Sequence, residues 1–526
     1  MMFKRLLSAL LCVLLIFGCA SAAFAAESGG TVIPTVYVLG TGTGLKVDNP
    51  DGSVTAVYPP TLPEGFVDEQ IKGDFLPVFK KAFLTQQWDE FCDKLCEIIV
   101  PLFEDIRLDE NGEAPNGSVV DWNPALSLYG GKVNGKYPTD RYIFEYDWRM
   151  DPYKTADVLH SYIESVLAVT GETQVNLVGR CLGACITAAY MQKYDGEHVQ
   201  NYMIYAGALY GATQCTKSFS GELWIESGGV ERFTYDLNDL EFNGVKVFAD
   251  EVLLELLQSG ATLLRKTGGL DIGAWAVNNV YRQIYMKIIP PMLSEMFGTF
   301  PGWWSMVADE DYEKAKQTVF HDVDKDKWAH FFDIIDNYHY NVQTRTPELF
   351  AHYREKGIGL ANIVKYGFQT LPFTRNTDML SDKFCSVEQA SLGAKTSTIN
   401  GTLKKSYLKK ADPRFISPDK QIDASTCLLP ERTWFIKNLA HKDFPAGVHR
   451  LFDVILNNPE LTVFDDADFP QYMVYSDETE SIEPMTEKNM DTTARYRQTF
   501  FGALTIFLRA LGVVIRRYID SKKVTE

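Results

Sequence analysis

Short apolar runs alternate along this chain with stretches of helical spacing, and that alternation is its main structural signal. A β-rich run over residues 31–39 ends in Gly40-Thr41-Gly42-Thr43-Gly44-Leu45. Residues 142–146 form a second buried run, closed by Asp147-Trp148-Arg149, and residues 157–167 carry helical spacing up to a third run at 174–178. A helix start follows at 184–190, then a strand at 202–206 and its loop at 207–213. Strand and helix units in succession predict an α/β protein with a mainly parallel central sheet covered by helices on both faces.

The pattern changes between residues 248 and 306, where apolar helices are predicted at 252–264 and 275–297, followed by Pro301-Gly302-Trp303-Trp304. Such a block between strands suits a helical cap over an acyl-binding pocket, or ordinary helical core. Strand character returns at 359–366 and 433–437, and 444–457 reads as a helix. Residues 496–518 form a last apolar helix with Arg495, Arg497, Arg509, Arg516 and Arg517 around it. Its apolar portions are shorter than the roughly 20 residues that span a bilayer, so it packs against the body or lies on a membrane surface. The expected organisation is a core over 31–245 and 351–480, a cap over 246–350 and a C-terminal helix over 481–526.

Composition narrows the class. A content of 46% hydrophobic and 13% aromatic residues in 526 supports a large core. A net charge of -18 argues against nucleic acid as a partner. Lys4 and Arg5, an apolar run over 6–17 and then small residues give residues 1–25 the layout of a secretory signal peptide, so export is expected. Ala23-Phe24-Ala25 offers a cleavage site, whereas Ile16-Phe17-Gly18-Cys19 resembles a lipobox that would end the signal at 18 and lipidate Cys19. The cysteine spacings show no disulfide framework and, without matching histidines, no zinc site; no metal or cofactor is expected.

The chemistry centres on Gly179-Arg180-Cys181-Leu182-Gly183. A strand, a sharp turn with small flanking residues and a helix would set the Cys181 sulfur at a helix N-terminus, where the dipole favours a thiolate. The N–H of Leu182 and an N–H near Thr41 would be the oxyanion donors. The competing reading is a buried structural cysteine. A thiol nucleophile needs a base, and a histidine after the last core strand leaves His441, in the loop beyond 433–437, or His449, in the helix that follows. The carboxylate is expected at Asp419, in Ser417-Pro418-Asp419-Lys420-Gln421-Ile422, with Asp423 and Asp382 as rivals; any of the three can simply cap a turn.

These residues resemble an α/β-hydrolase of the lecithin:cholesterol acyltransferase-like lipase group. The resemblance rests on residues 38–45, on Tyr146-Asp147-Trp148-Arg149 and on the elbow around Cys181. The family pattern has His-Ser where this chain has Arg180-Cys181, and Pro-Gly where it has Leu39-Gly40. A cysteine at the elbow also resembles dienelactone hydrolases and polyhydroxyalkanoate synthases. The resemblance implies acyl transfer from an ester, lipid-like substrate to water or an alcohol through a thioester on Cys181. The alternative is a non-catalytic envelope protein of the same fold that binds a lipid or protein partner.

Overall fold

The computed structural model describes residues 33–59, 66–124, 142–237, 241–242, 245–246 and 250–523. The expected signal peptide and the candidate lipidation site Cys19 lie outside these residues. The core is an eight-stranded sheet: β1 (Thr35–Val38), β2 (Tyr142–Phe144), β3 (Val175–Arg180), β4 (Val199–Tyr205), β5 (Gly359–Tyr366), β6 (Thr433–Lys437), β7 (Tyr472–Ser476) and β8 (Ser481–Pro484). They lie in the order β8-β7-β6-β5-β4-β3-β1-β2, all parallel except β8, which runs back against β7.

Alternation along each strand explains the two covered faces. On β3, Leu177 joins one hydrophobic cluster and Val178 the other; on β1, Val36 and Val38 face one side and Tyr37 the opposite side. The first face is covered by α2 (Pro152–Thr170) and α3 (Leu182–Lys193), and the second by α6 (Ala446–Asn457), which buries Val448, Leu451 and Phe452. Both faces being apolar accounts for the nearly uninterrupted hydrophobic runs of β3, β4 and β5. The result is a mainly parallel α/β sheet covered by helices on both faces.

From β1 the chain goes outward to β2 and then returns to the other side of β1 as β3. The order reverses there, which makes the C-terminal ends of β1 and β3 the topological switch point of the sheet. Close approach at this point demands glycine. A Cβ on Gly183 would stand 2.1 Å from the Val38 carbonyl oxygen and 2.4 Å from that of Leu39, and one on Gly179 would meet the Thr187 hydroxyl at 2.3 Å.

Two insertions leave the sheet. The first, between β1 and β2, holds a three-stranded sheet (Leu45–Asp48, Val54–Tyr58, Val119–Val120), which the sequence pattern does not reveal, and α1 (Asp89–Ile99). The second, between β4 and β5, contains α4 (Glu251–Lys266) and α5 (Gly269–Leu293). Phe91 and Cys92 of α1 share a hydrophobic cluster with Ile284 and Ile288 of α5, so the insertions pack on each other. The C-terminal helix α7 (Phe500–Lys523) lies on α4 through Ala503 and Ala510. Among the described residues no helix is long and apolar enough to cross a membrane.

Replacing Gly183 with alanine forces a methyl group into two backbone carbonyls that cannot retreat without breaking the β1–β3 pairing. Thermal and urea unfolding should show a loss of about 2–3 kcal/mol; an unaltered midpoint would mean that the elbow is looser than this packing implies.

Candidate active site

Cys181 follows the last residue of β3 and precedes the first of α3, with φ 54° and ψ -124°. A non-glycine residue rarely holds a positive φ, and here the bend is imposed from both sides. Ala184 and Ala208 donate their N–H groups to the Cys181 carbonyl at 3.1 and 3.2 Å, while Gly183 fits against β1. The thiol therefore stands at the N-terminus of α3, with the Leu182 N–H directed at the sulfur.

The loop after β1 closes over this point. Gly40 is so near that a Cβ would lie 2.8 Å from the Cys181 Cβ and 3.2 Å from its Sγ. The segment Tyr146-Asp147-Trp148-Arg149 braces this loop at both ends. Tyr146 donates its hydroxyl to the Leu39 carbonyl at 2.9 Å, and Trp148 Nε1 donates to the Thr43 carbonyl at 3.1 Å. Thr41 lies between these anchors. The buried Arg149 ties the segment down through Asp147, Ser118 and the Ile106 carbonyl.

His441 lies in the loop after β6, and Asp382 in the loop after β5. His441 Nδ1 is 2.6 Å from Asp382 Oδ2, and the His441 N–H donates to the Asp382 carbonyl at 2.8 Å. Asp382 Oδ1 accepts the N–H groups of Phe384 and Cys385 at 3.0 and 2.8 Å, and Phe384 packs its ring on the imidazole. The other imidazole nitrogen, Nε2, is buried without an ordinary hydrogen bond and stands within interaction range of the Cys181 thiol.

Burial alone would neutralise all three groups, and their mutual charges reverse it. Asp382 is fully buried, yet the His441 imidazole, the Lys365 ammonium and the Cys385 N–H hold its carboxyl below the usual range. Burial acts against the His441 charge, but Asp382 and Cys181 push it up to about 9. The Cys181 thiol is raised by burial and lowered more by His441, the Leu182 N–H and Arg180, so that its net shift is downward. Each shift favours the charged form of its group, which is the direction of a thiolate–imidazolium pair.

Two buried cations hold the imidazole loop. Arg180 Nη2 donates to the carbonyls of Lys442 at 2.8 Å and His441 at 3.3 Å. Lys365 Nζ, on β5, donates to the Asp443 carbonyl at 2.9 Å and to that of His441, and packs over the Tyr205 ring. Burial and the neighbouring Arg180 push the Lys365 ammonium down to about 7. Sequence reasoning missed Lys365, although a lysine inside an apolar strand was a visible signal that local acceptors were needed.

Asp419, the expected carboxylate, is committed elsewhere. Its oxygens take the buried Lys437 ammonium at 2.7 Å and the Ser417 hydroxyl at 2.6 Å. Asp423 accepts the Tyr407 hydroxyl at 2.6 Å and the Ser425 N–H at 2.9 Å. The rival Asp382 is the aspartate that meets His441. His449 is buried in α6 with its ring 4.3 Å from that of Phe444, on the face opposite α3. Cys385 presents a second thiol: its sulfur and the ligand atoms of Asp382 and His441 all lie within 4.8 Å of one another, a grouping able to hold a metal. Burial and Asp382 raise that thiol well above its ordinary range, and the other two groups already bond each other, so the set is poorly suited to a soft metal.

The sequence profile of the family described as lecithin:cholesterol acyltransferase matches residues 133–224, the segment from before β2 to beyond the elbow. Among solved structures, the chain is similar to one from the crystal structure of the Tle4-Tli4 complex, at 12% identity and a TM-score of 0.27, covering 84% of this chain and 100% of that one. No curated protein matches.

Three substitutions separate the roles. Asp382→Asn should lower the kcat of the folded fraction at least about 100-fold and, by unpairing the buried imidazolium, cost stability as well. Asp419→Asn strands a buried lysine and should cost about 3 kcal/mol of stability while the folded fraction keeps its kcat. Arg180→Met should lower kcat at least about tenfold by freeing the imidazole loop. Steady-state kinetics beside chemical unfolding checks each, and equal kinetic losses in the two aspartate variants would contradict the assignment.

Proposed function

Taking the chain as a lecithin:cholesterol acyltransferase-like α/β-hydrolase, we propose that it transfers acyl groups from lipid-like carboxylic esters through a thioester on Cys181. The observation that carries this reading is the convergence of the strained Cys181, His441 and Asp382 at the C-terminal ends of β3, β6 and β5. The order nucleophile, acid, base along the chain is that of the α/β-hydrolases.

In the proposed cycle the Cys181 thiolate attacks the ester carbonyl carbon, and the carbonyl π electrons move onto oxygen. The N–H of Leu182 and one from the loop containing Thr41 hold that oxyanion. Collapse breaks the bond to the alkoxy group, and the imidazolium gives it the proton, leaving a thioester and neutral His441. His441 then takes a proton from water or an acceptor alcohol, whose oxygen attacks the thioester. The thiol group departs as thiolate, restoring the ion pair. Asp382 fixes the tautomer with Nδ1–H toward itself, so that Nε2 faces the sulfur throughout. Export of the protein after removal of residues 1–25 belongs to the same proposal, and N-terminal sequencing of the mature chain tests it.

A short-chain p-nitrophenyl ester mixed with excess enzyme and quenched in acid should leave one acyl mass on the Cys181 peptide, absent in Cys181→Ala. His441→Ala should accumulate it at least about 100 times more slowly. Acyl-free Cys181, with no ester turnover, would contradict catalysis and favour the lipid- or protein-binding reading.

A further inference from the structure

The apolar side chains that the protein leaves in solvent concentrate on the helices outside the sheet. On α7, Phe501, Leu508, Ile515 and Ile519 recur at spacings of seven, seven and four, which places them on one side of the helix. Phe501 is 78% exposed and Leu508 58%. The opposite side of α7, with Ala503, Phe507 and Ala510, is the one seated on α4. This stripe is therefore no part of the packing that holds the helix in place.

Ion pairs fix the direction of α7. Arg517 bonds Asp250 at the start of α4 at 2.8 Å, Arg509 bonds Glu255 at 2.6 Å, and Phe507 packs against Gly260. The helices are antiparallel, so the N-terminal turn of α7 reaches the last turn of α4 and the turn into α5. That end carries Phe501, Leu264 and, on the first two turns of α5, Ile272 and Trp275, which are 70% and 68% exposed. A tryptophan, a phenylalanine and two bulky aliphatic residues from three helices thus lie toward one tip.

We infer that this tip and the outer stripe of α7 form a docking surface for an anionic lipid bilayer. Charge selects the occupant. The whole chain carries -18, and Arg509 and Arg517 are spent on Glu255 and Asp250, yet Arg516 and Lys266 make no ion pair among the described residues. Arg516 lies on the flank of the stripe, and Lys266 is exposed at the tip. Lipid phosphates supply the counter-charge that these two cations lack. Tryptophan and phenylalanine suit the level where head groups meet acyl chains. The surface deepens the proposed function by setting its ester substrates in a membrane.

The test is co-sedimentation of the full chain with phosphatidylcholine vesicles, with and without phosphatidylglycerol, followed alongside by Trp fluorescence. Binding should require the anionic lipid, and Phe501→Ser combined with Trp275→Ser should weaken it about tenfold while a soluble short-chain ester is turned over as before. Cys181→Ala should bind vesicles like wild type, so loss of catalysis and loss of docking are read separately. Unaltered binding by the double variant, equal binding to neutral vesicles, no binding by wild type, or a dimer in light scattering that Phe501→Ser dissolves would each overturn the proposal.

Discussion

The 2.6 Å hydrogen bond between His441 and Asp382, beside the backbone bond from the His441 N–H to the Asp382 carbonyl, joins two loops that leave neighbouring parallel strands. A fully buried carboxylate is tolerable only with matching donors, and the donors here are the imidazole and two backbone N–H groups of its own turn. The bond in turn fixes which imidazole nitrogen faces the sulfur. Loss of this contact would leave Asp382 as an unpaired buried charge and Cys181 as an ordinary buried thiol.

The elbow supplies the other half of the site by geometry. Gly183 and Gly40 let β1 and its loop close on Cys181, and the positive φ at 181 puts the thiol at the head of α3. Tyr146 and Trp148 then hold the loop after β1 from below. Arg180 has a task that a smaller residue could not perform: it reaches from the elbow to the carbonyls of the imidazole loop. Where the lipase family pattern has histidine and serine, this chain couples a cation that anchors the base loop to a thiol that gains from positive charge.

Much of this was legible in the sequence because the determinants are local. Strands 359–366 and 433–437 are continuous runs of buried residues, the elbow is announced by its glycines, and His441 follows the last predicted strand. Asp382 was one of three aspartates the sequence offered, but the choice among them was not legible, because proximity to His441 depends on how the irregular segment between β5 and β6 folds. The pattern around Asp419 has a different cause: Lys437 ends a buried strand, and Asp419 is the carboxylate that neutralises it. Lys365 and Lys437 were the clues, since a cation inside a sheet must find oxygen atoms nearby. The small sheet of the first insertion left no period in the sequence, being made of strands of two to five residues.

The ionisation state of Cys181 carries the account, and ultraviolet absorbance of the thiolate near 240 nm, taken as wild type minus Cys181→Ala across a pH titration, reads it directly. The difference should already be present at neutral pH and vanish only on acidification, well below the ~8.5 of a free cysteine. A difference that first emerges at or above that value would contradict a thiolate–imidazolium pair and the mechanism built on it.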